Sequence, residues 1–213
     1  MRAAVLGQEE HARIDKMAVD IGEIKGELNA LLEVQVPRVV KDSSLLAPEK
    51  LAERAPVLQA NLRVAKSNKI AIDPATLQKL GSSLVEAHEK VPGSEATWNA
   101  FSELVSYRTF LNAQHETGWS KSTESPPREL PPGITNIVAD SMEVGGGPID
   151  LDGLYWMNDV FKNCVIRYRG GPVVLKNVRF ENCTFVMLAS EPAKRLGTEV
   201  LSAEITNFQN KAS

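Results

Sequence analysis

The sequence predicts an α+β protein whose first half is helical and whose second half consists of short stacked strands. Three observations support this prediction. None of the twelve aromatic residues lies in the first 97 positions, so the 213-residue chain has two parts of different composition. Apolar residues near the N-terminus follow a seven-residue repeat, which is typical of a coiled-coil helix. Large apolar residues after position 150 recur every five residues, which fits neither a helix nor an ordinary strand.

The composition excludes several classes of protein. The charges, 24 Lys and Arg against 27 Asp and Glu, leave a net charge of −3, which is too small to indicate a nucleic-acid binder. No apolar run approaches the roughly 18 residues of a membrane span. Two cysteines, Cys164 and Cys183, are too few for a disulfide framework or a zinc site. We therefore expect a reduced, cytoplasmic protein without a cofactor or metal.

The N-terminal repeat predicts a coiled-coil oligomerisation helix over residues 1–36. Asp20 at position g and Lys25 at the following e form a charge pair suited to parallel chains. Gly22 and Gly26 occupy outer positions, and each costs about 1 kcal/mol of helix stability relative to Ala. The pattern leaves open a dimer, a trimer, or a helix packed against its own domain. The a and d positions of the predicted seam are Ile14, Met17, Ile21, Ile24, Leu28 and Leu31.

Residues 37–113 are predicted to form an α-helical domain. Pro37 should end or kink the first helix, because a proline pushes the preceding residue out of helical geometry. Pro48 and Pro56 can each open a further helix, since proline is favoured at the first helical position. These signals predict two short helices, the first carrying Leu51 and the second carrying Leu58 and Leu62.

A helical hairpin should complete this domain. Asp73-Pro74 combines an N-cap with a proline at the first helical position, and Pro92-Gly93 should end that helix. Ser94 can cap the next one. Within it we expect Tyr107 to pack in the core and Arg108 to form a salt bridge at the edge of the hairpin. The apolar residues expected to face the core are Leu77, Leu80, Leu84 and Val91 on the first helix, and Trp98, Phe101, Val105 and Leu111 on the second.

The polar, Pro-rich and Ser-rich segment 114–133 is predicted to be a linker between the two modules. Its composition offers little apolar surface to bury, and its prolines favour extended structure. Trp119 lies near its start and is the residue expected to attach the linker to one module.

After the linker, the chain is expected to turn a corner about every five residues. Asn stands two positions after four of the large apolar residues, and Asn tolerates tight turns. Successive turns would then stack as parallel strands in a β-solenoid. The apolar residues are Leu151, Trp156, Phe161 and Ile166, then Leu175, Phe180 and Phe185, and the corner residues are Asn158, Asn163, Asn177 and Asn182.

The blocks 161–166 and 180–185 resemble the pentapeptide-repeat family of right-handed quadrilateral β-helices. In that family a large residue points inward and a small residue lies two positions before it, as Cys164 and Cys183 do here. The resemblance implies a short right-handed parallel β-solenoid within residues 134–213. The whole chain also resembles a bacterial protein type with a helical front and a short solenoid tail, which implies no known activity.

The ends of such a short solenoid need covers, because open ends present unpaired backbone groups. A capping helix starting near Ser190-Glu191-Pro192, with Leu201, Ile205 and Phe208 facing inward, is expected at one end. Residues 138–144 are expected to cover the other end. Alternatively, the ends stack across a symmetric interface.

Five basic residues of the solenoid are expected to form a surface for nucleic acid or another anionic ligand. Within residues 156–186 only Asp159 and Glu181 oppose them, although a solvated charged face requires no ligand. The five are Lys162, Arg167, Arg169, Lys176 and Arg179.

No catalytic motif accompanies these features. His11, His88 and His115 lie in different predicted elements without metal-ligand spacing. Asp150 and Asp152 flank Leu151, but Asp152-Gly153 is better explained as a corner turn. The sequence thus predicts a non-enzymatic, homo-oligomeric structural or interaction protein that presents its solenoid to an unidentified protein partner. The alternative is binding of nucleic acid or an anionic ligand through the basic face.

Overall fold

The computed structural model describes residues 2–91, 93–115 and 119–211, and the side chains of 2–15, 139, 141 and 142 lie outside that description. Within these ranges the chain is mixed α and β, so the predicted α+β class is confirmed. The helices are α1 (Arg2–Ser43), α2 (Pro48–Ser67), α3 (Pro74–Lys90), α4 (Glu95–Asn112) and α5 (Glu191–Ser202). The strands are β1 (Asn136–Gly145), β2 (Pro148–Asp150), β3 (Leu154–Lys162), β4 (Val165–Tyr168), β5 (Val173–Glu181), β6 (Thr184–Met187) and β7 (Ile205–Asn210).

The first helix does not end at Pro37. It continues through that residue to Ser43, so the boundary predicted at residue 36 falls inside a continuous helix. Val36 and Val40 on either side of Pro37 are buried in the hydrophobic core, and α1 packs there against α2 and α3. This burial offsets the backbone hydrogen bond that proline removes from a helix interior.

The two helices predicted after Pro48 and Pro56 are one helix. Pro48 does open α2, but Pro56 lies on its exposed side, and the buried residues continue past it. Leu51 and Leu58 lie seven residues apart, two helical turns, and both face the core. The apolar stripe therefore stabilises the helix across the proline, which the local sequence signal did not reveal.

The hairpin signals are confirmed in most details. The Asp73 carboxylate accepts a hydrogen bond from the Thr76 amide at 2.9 Å and caps α3. Ser94 occupies the N-cap position of α4, but its side chain makes no capping hydrogen bond. Tyr107 is buried as expected and donates to the Ile70 carbonyl. Val91, also predicted on this face, is only half-buried and follows the end of α3. The other predicted core residues are buried, namely Leu77, Leu80, Leu84, Trp98, Phe101, Val105 and Leu111.

Arg108 departs from its prediction. It is buried rather than placed at the exposed edge of the hairpin. Burial, the largest effect, lowers the pKa of its guanidinium, and the nearby Arg179 charge acts in the same direction, while Glu204 opposes them. Arg108 therefore belongs to the interior between the helices and the strands.

The strands form two sheets, and neighbouring parallel strands in each sheet are separated by a nearly constant number of residues. Their orders are β1-β3-β5-β7 and β2-β4-β6, and all pairs are parallel except β5 and β7. The corner residues Asn158 and Asn163 lie 19 positions before Asn177 and Asn182, and a side-chain hydrogen bond joins each pair. All four have positive φ, between 51° and 58°, a region that Asn tolerates better than most residues. Asn163 and Asn182 lie between strands, as the predicted corners require, whereas Asn158 and Asn177 lie inside β3 and β5.

The interior between the two sheets is built from the residues spaced by five. All seven predicted residues are buried, together with Cys164 and Cys183. The rings of Phe161 and Phe180 stack with centroids 5.1 Å apart. One hydrophobic cluster contains these residues and the cores of α2, α3 and α4, so the helices and strands share buried surface.

The C-terminal helix begins where predicted but ends earlier. Ser190 caps α5 by accepting from the Ala193 amide, and Leu201 is buried. Ile205 and Phe208, predicted on the same helix, lie instead on β7, which pairs antiparallel with β5. α5 packs against α3 and α4, so the strand rather than the helix covers the edge of β5. Residues 138–144, predicted as a cap, belong to β1 and pair with β3.

The segment before the strands runs along the corner asparagines. The indole Nε1 of Trp119 donates to the Asn177 carbonyl at 3.3 Å, which matches its predicted role of attaching the segment. The Ser122 amide donates to Asn158 Oδ1 at 2.9 Å, and Asn177 Nδ2 donates to the Ser120 carbonyl at 3.0 Å. Despite its composition, this stretch has specific backbone partners. The domain boundary placed within it stays a prediction.

Asn158 provides a test of the corner geometry. We expect Asn158→Ala to lower the free energy of unfolding by about 3 kcal/mol, because it removes several buried hydrogen bonds and places Ala at positive φ. Asn158→Gly tolerates the positive φ and should lose about 1 kcal/mol less. Urea unfolding followed by circular dichroism measures both, with the exposed Asn61→Ala as control. Equal losses for Ala and Gly would show that the positive φ is unimportant.

Candidate functional site

The predicted seam of α1 is an exposed apolar stripe. From Lys16 to Leu31 every side chain of the helix is exposed, on all sides. Five of the six predicted seam residues fall in this part, while the Ile14 side chain lies outside the described residues. The sequence left open that this face packs against the chain's own domain. The structure shows no such packing for these five residues. Met17, Ile21, Ile24, Leu28 and Leu31 are between 50 and 63 % exposed.

The helix changes its apolar face where it reaches the body of the protein. Leu32, Val36 and Val40, spaced by four, pack against the core. Gln35 and Arg38, which would continue the seam, are polar and exposed. The seam therefore ends where the intramolecular contacts of α1 begin. Isolated exposed apolar residues are common on proteins, but a continuous stripe of this kind marks an interaction surface.

The five predicted basic residues do not form one surface. Lys176 and Arg179 lie on β5, whereas the exposed Arg167 lies on β4 in the other sheet. Lys162 Nζ lies between the carboxylates of Glu143, at 3.3 Å, and Glu181, at 3.8 Å.

Two more of the five have acidic partners. Lys176 forms an ion pair with Glu124, and Arg169 lies 4.0 Å from Asp150. Such pairs between exposed side chains contribute little stability, but they reduce the positive potential that an anionic ligand would need.

Arg179 corrects the prediction that it points to solvent. Only 2 % of its side chain is exposed. Its Nη2 donates to the carbonyls of Asn112, at 2.6 Å, and His115, at 3.0 Å, and its Nε lies 2.7 Å from Glu181 Oε1. The last carbonyls of a helix carry partial negative charge, which a buried cation stabilises. The Arg179 side chain reaches the end of α4 rather than water, so it does not contribute to the predicted basic surface.

The docking of α4 on the last strands was not predicted. Thr109 Oγ1 lies 2.9 Å from both the amide nitrogen and the carbonyl oxygen of Cys183. The Asn182 amide donates to the Thr109 carbonyl at 2.8 Å, and Ser106 Oγ accepts from the Phe185 amide at 2.8 Å. Asn182 and Cys183 belong to the turn before β6, and Phe185 lies on β6, which has β4 as its one strand neighbour among the described residues. Polar side chains of α4 thus take the place of the missing strand.

The ends of this contact are fixed in the same way. Trp98 Nε1 donates to the Met187 carbonyl at 2.6 Å, and Asn112 Nδ2 donates to the Phe180 carbonyl at 3.2 Å. A signal for this contact was present in the sequence. Ser106, Thr109 and Asn112 recur every three residues, which places three polar side chains on one buried face of α4.

The described residues offer little that resembles a catalytic centre. His88 Nδ1 lies 3.2 Å from the Ser94 carbonyl, and its ring packs on Trp98. The Asp152 carboxylate accepts from the Arg169 and Gly171 amides, and Gly153 has a φ of +80°, which supports the corner turn predicted there. Among the side chains described, no group of three or more His, Cys, Asp or Glu residues could hold a metal ion. The described helices also include none with the length and apolarity needed to cross a membrane.

Comparison of the chain with protein-family models, with curated proteins and with solved structures finds no significant match. We therefore base the proposed function on the surfaces that the chain itself presents. These are the exposed stripe of α1 and the strand stack that α4 and β7 cover on one side.

The burial of the cysteines predicts slow reaction with thiol reagents. Burial raises the pKa of the Cys183 thiol to about 12, so it stays protonated at pH 8, and Cys164 is equally enclosed. We expect negligible labelling by a chromogenic disulfide reagent in the native protein and rapid labelling of two thiols in denaturant. Fast labelling of both cysteines without unfolding would contradict the buried positions.

Arg179 and Arg167 form a matched pair for testing the role of the buried guanidinium. We expect Arg179→Met to lower the free energy of unfolding by about 3–5 kcal/mol, because it removes the cation from the Asn112 and His115 carbonyls and leaves Glu181 only the more distant Lys162. Arg167→Met, at an exposed site, should change it by less than about 0.5 kcal/mol. Chemical denaturation measures both values. Similar small effects would show that Arg179 does not fix α4.

Proposed function

We propose that this chain is a non-enzymatic, homo-oligomeric interaction protein that assembles through α1 and presents its strand stack to a protein partner. The observation that carries the proposal is the apolar stripe of α1, which the chain leaves exposed from Met17 to Leu31. Exposing such a stripe in water is unfavourable by roughly 25 cal/mol for each Å² of apolar surface. Association that covers the stripe recovers this free energy.

A second copy of the chain is the occupant that fits the stripe best. Its residues follow the alternating 3–4 spacing in which two identical helices interlock side chains along their length. In a parallel arrangement, Asp20 of one chain would face Lys25 of the other, which opposes their charges across the seam. Parallel helices would also place both bodies at the same end, since each body begins after Leu31.

We further propose that the strands form a short right-handed solenoid of the kind seen in pentapeptide-repeat proteins. Support comes from the 19-residue step between paired asparagines and from their positive φ. The stacked rings of Phe161 and Phe180 add to it, because equivalent residues of successive turns lie above one another in a solenoid. Such a stack is rigid and suits the presentation of a surface rather than a catalytic cleft.

Charge substitutions in the stripe test the assembly. We expect the double variant Ile21→Asp, Ile24→Asp to be monomeric at concentrations where the native chain is oligomeric, because the seam would bury unpaired carboxylates. Light scattering after size exclusion measures the mass, and circular dichroism checks that the body stays folded. Ala30→Asp, at an outer position of the same helix, is the matched control and should leave the oligomer unchanged.

Strengthening the helix should have the opposite effect. A Cβ added at Gly22 or Gly26 would meet no atom within 4 Å, so alanine fits at both positions. Gly22→Ala, Gly26→Ala should stabilise each helix by about 2 kcal/mol and tighten association by more than tenfold. Sedimentation equilibrium over a range of concentrations measures the change. If both the native chain and this variant stay monomeric at every concentration, the proposal is rejected.

A further inference from the structure

The strand stack is covered at one end and open at the other. α4 covers the edge of β6, and β7 pairs with the edge of β5. At the opposite end, β1 and β2 each have a single strand neighbour among the described residues, β3 and β4. The inward residues at this end, Val138, Val144 and Ile149, are only partly buried, whereas equivalent residues in later strands are buried. The open end therefore combines unpaired strand edges with an incompletely covered apolar interior.

The open end is also acidic. Between Arg128 and Lys162 the chain contains no Lys or Arg. Glu143 on β1 and Asp150 on β2 have side chains that are 61 % and 55 % exposed. Their described ion pairs are with Lys162 on β3 and with Arg169, which directly follows β4. β1 and β2 themselves contain no Lys or Arg, and Lys121 of the preceding segment pairs with Asp140 of β1 at 2.8 Å.

Lys162 shows how charges alternate from strand to strand. Its ammonium group lies between Glu143 of the strand before and Glu181 of the strand after. A basic side chain in this stack thus interacts with acidic residues on two neighbouring strands. Glu143, in the terminal strand, has such a neighbour on one side. A strand added outside β1 that carries Lys or Arg would repeat the arrangement.

We propose that the open edge of β1 accepts an extended segment of a partner protein in which apolar and basic residues alternate. The backbone of that segment would pair with the edge, its apolar side chains would cover Val138 and Val144, and its basic side chains would face Glu143. A second copy fits less well, because joining two open ends would bring the same carboxylates together. This surface is separate from the α1 stripe, so its failure would leave the proposed assembly untouched.

A peptide of alternating valine and lysine, about as long as the ten residues of β1, is a suitable probe for the intact protein. Fluorescence anisotropy should show saturable binding that weakens as salt is added. A valine–glutamate peptide of the same length should not bind. Two further valine–lysine peptides carry N-methyl groups at alternate residues, one on the odd and one on the even positions. The peptide whose methyl groups replace the N–H groups that pair with β1 should lose binding, and the other should keep it.

Charge reversal supplies the matching protein variants. Glu143→Lys, Asp150→Lys should bind the valine–lysine peptide about tenfold more weakly and should now bind the valine–glutamate peptide. Glu53→Lys on the exposed face of α2 is the control and should behave as the native protein. Circular dichroism verifies that each variant is folded.

Three outcomes would overturn the proposal. Equal binding of the N-methylated peptides in both phases would mean that attraction of charge, not strand pairing, holds the probe. Unchanged binding by Glu143→Lys, Asp150→Lys would place the peptide elsewhere. Hydrogen exchange of the β1 amides can also be followed without peptide. If their protection rises with protein concentration, a second copy occupies the edge.

Discussion

The hydrogen bonds from α4 to the edge of β6 are the interactions on which the arrangement of the whole chain depends. Parallel strands that stack through the chain always leave a last strand with unpaired backbone groups, and burying such groups without partners is costly. Here Thr109 and Ser106 supply the partners. Because these side chains project from the C-terminal half of α4, that part of the helix must lie directly against the strands. The helical and strand parts consequently share one hydrophobic core.

The position of α4 determines the rest of the helical part. Arg179 holds the end of α4 to β5, and Gly197 lets α5 approach the ring of Phe101, where a Cβ would lie 2.6 Å from ring atoms. α2 and α3 pack on the remaining sides of α4, and Val36 and Val40 attach the end of α1 to them. From Lys16 to Leu31 every side chain of α1 is exposed, so the contacts of α1 with the body begin at Leu32. The seam is therefore left to project, and the same packing that builds the core creates the candidate site.

Much of this could be predicted from local sequence, and the errors share one cause. The turns at Asn163 and Asn182, the Asp73 cap and the residues of the strand interior were correct, because each depends on spacing or on the conformational preference of one residue type. The helix break at Pro56, the continuous helix through Ile205 and the exposed position of Arg179 were wrong. In each case a distant element changes the outcome: the core favours α2 across its proline, the edge of β5 recruits β7, and α4 lies where Arg179 points.

By itself the sequence determined the periodicities, and with them the apolar stripe of α1, the corners of the strand stack and the residues that fill it. Periodicity states which side chains share a face, but not what lies opposite that face. Only the tertiary structure decided that the stripe of α1 faces water, that the outward face of β5 meets a helix, and that one end of the stack is covered while the other is open. These outcomes depend on contacts between residues far apart in the chain, as between Thr109 and Cys183, whose pairing no local pattern contains.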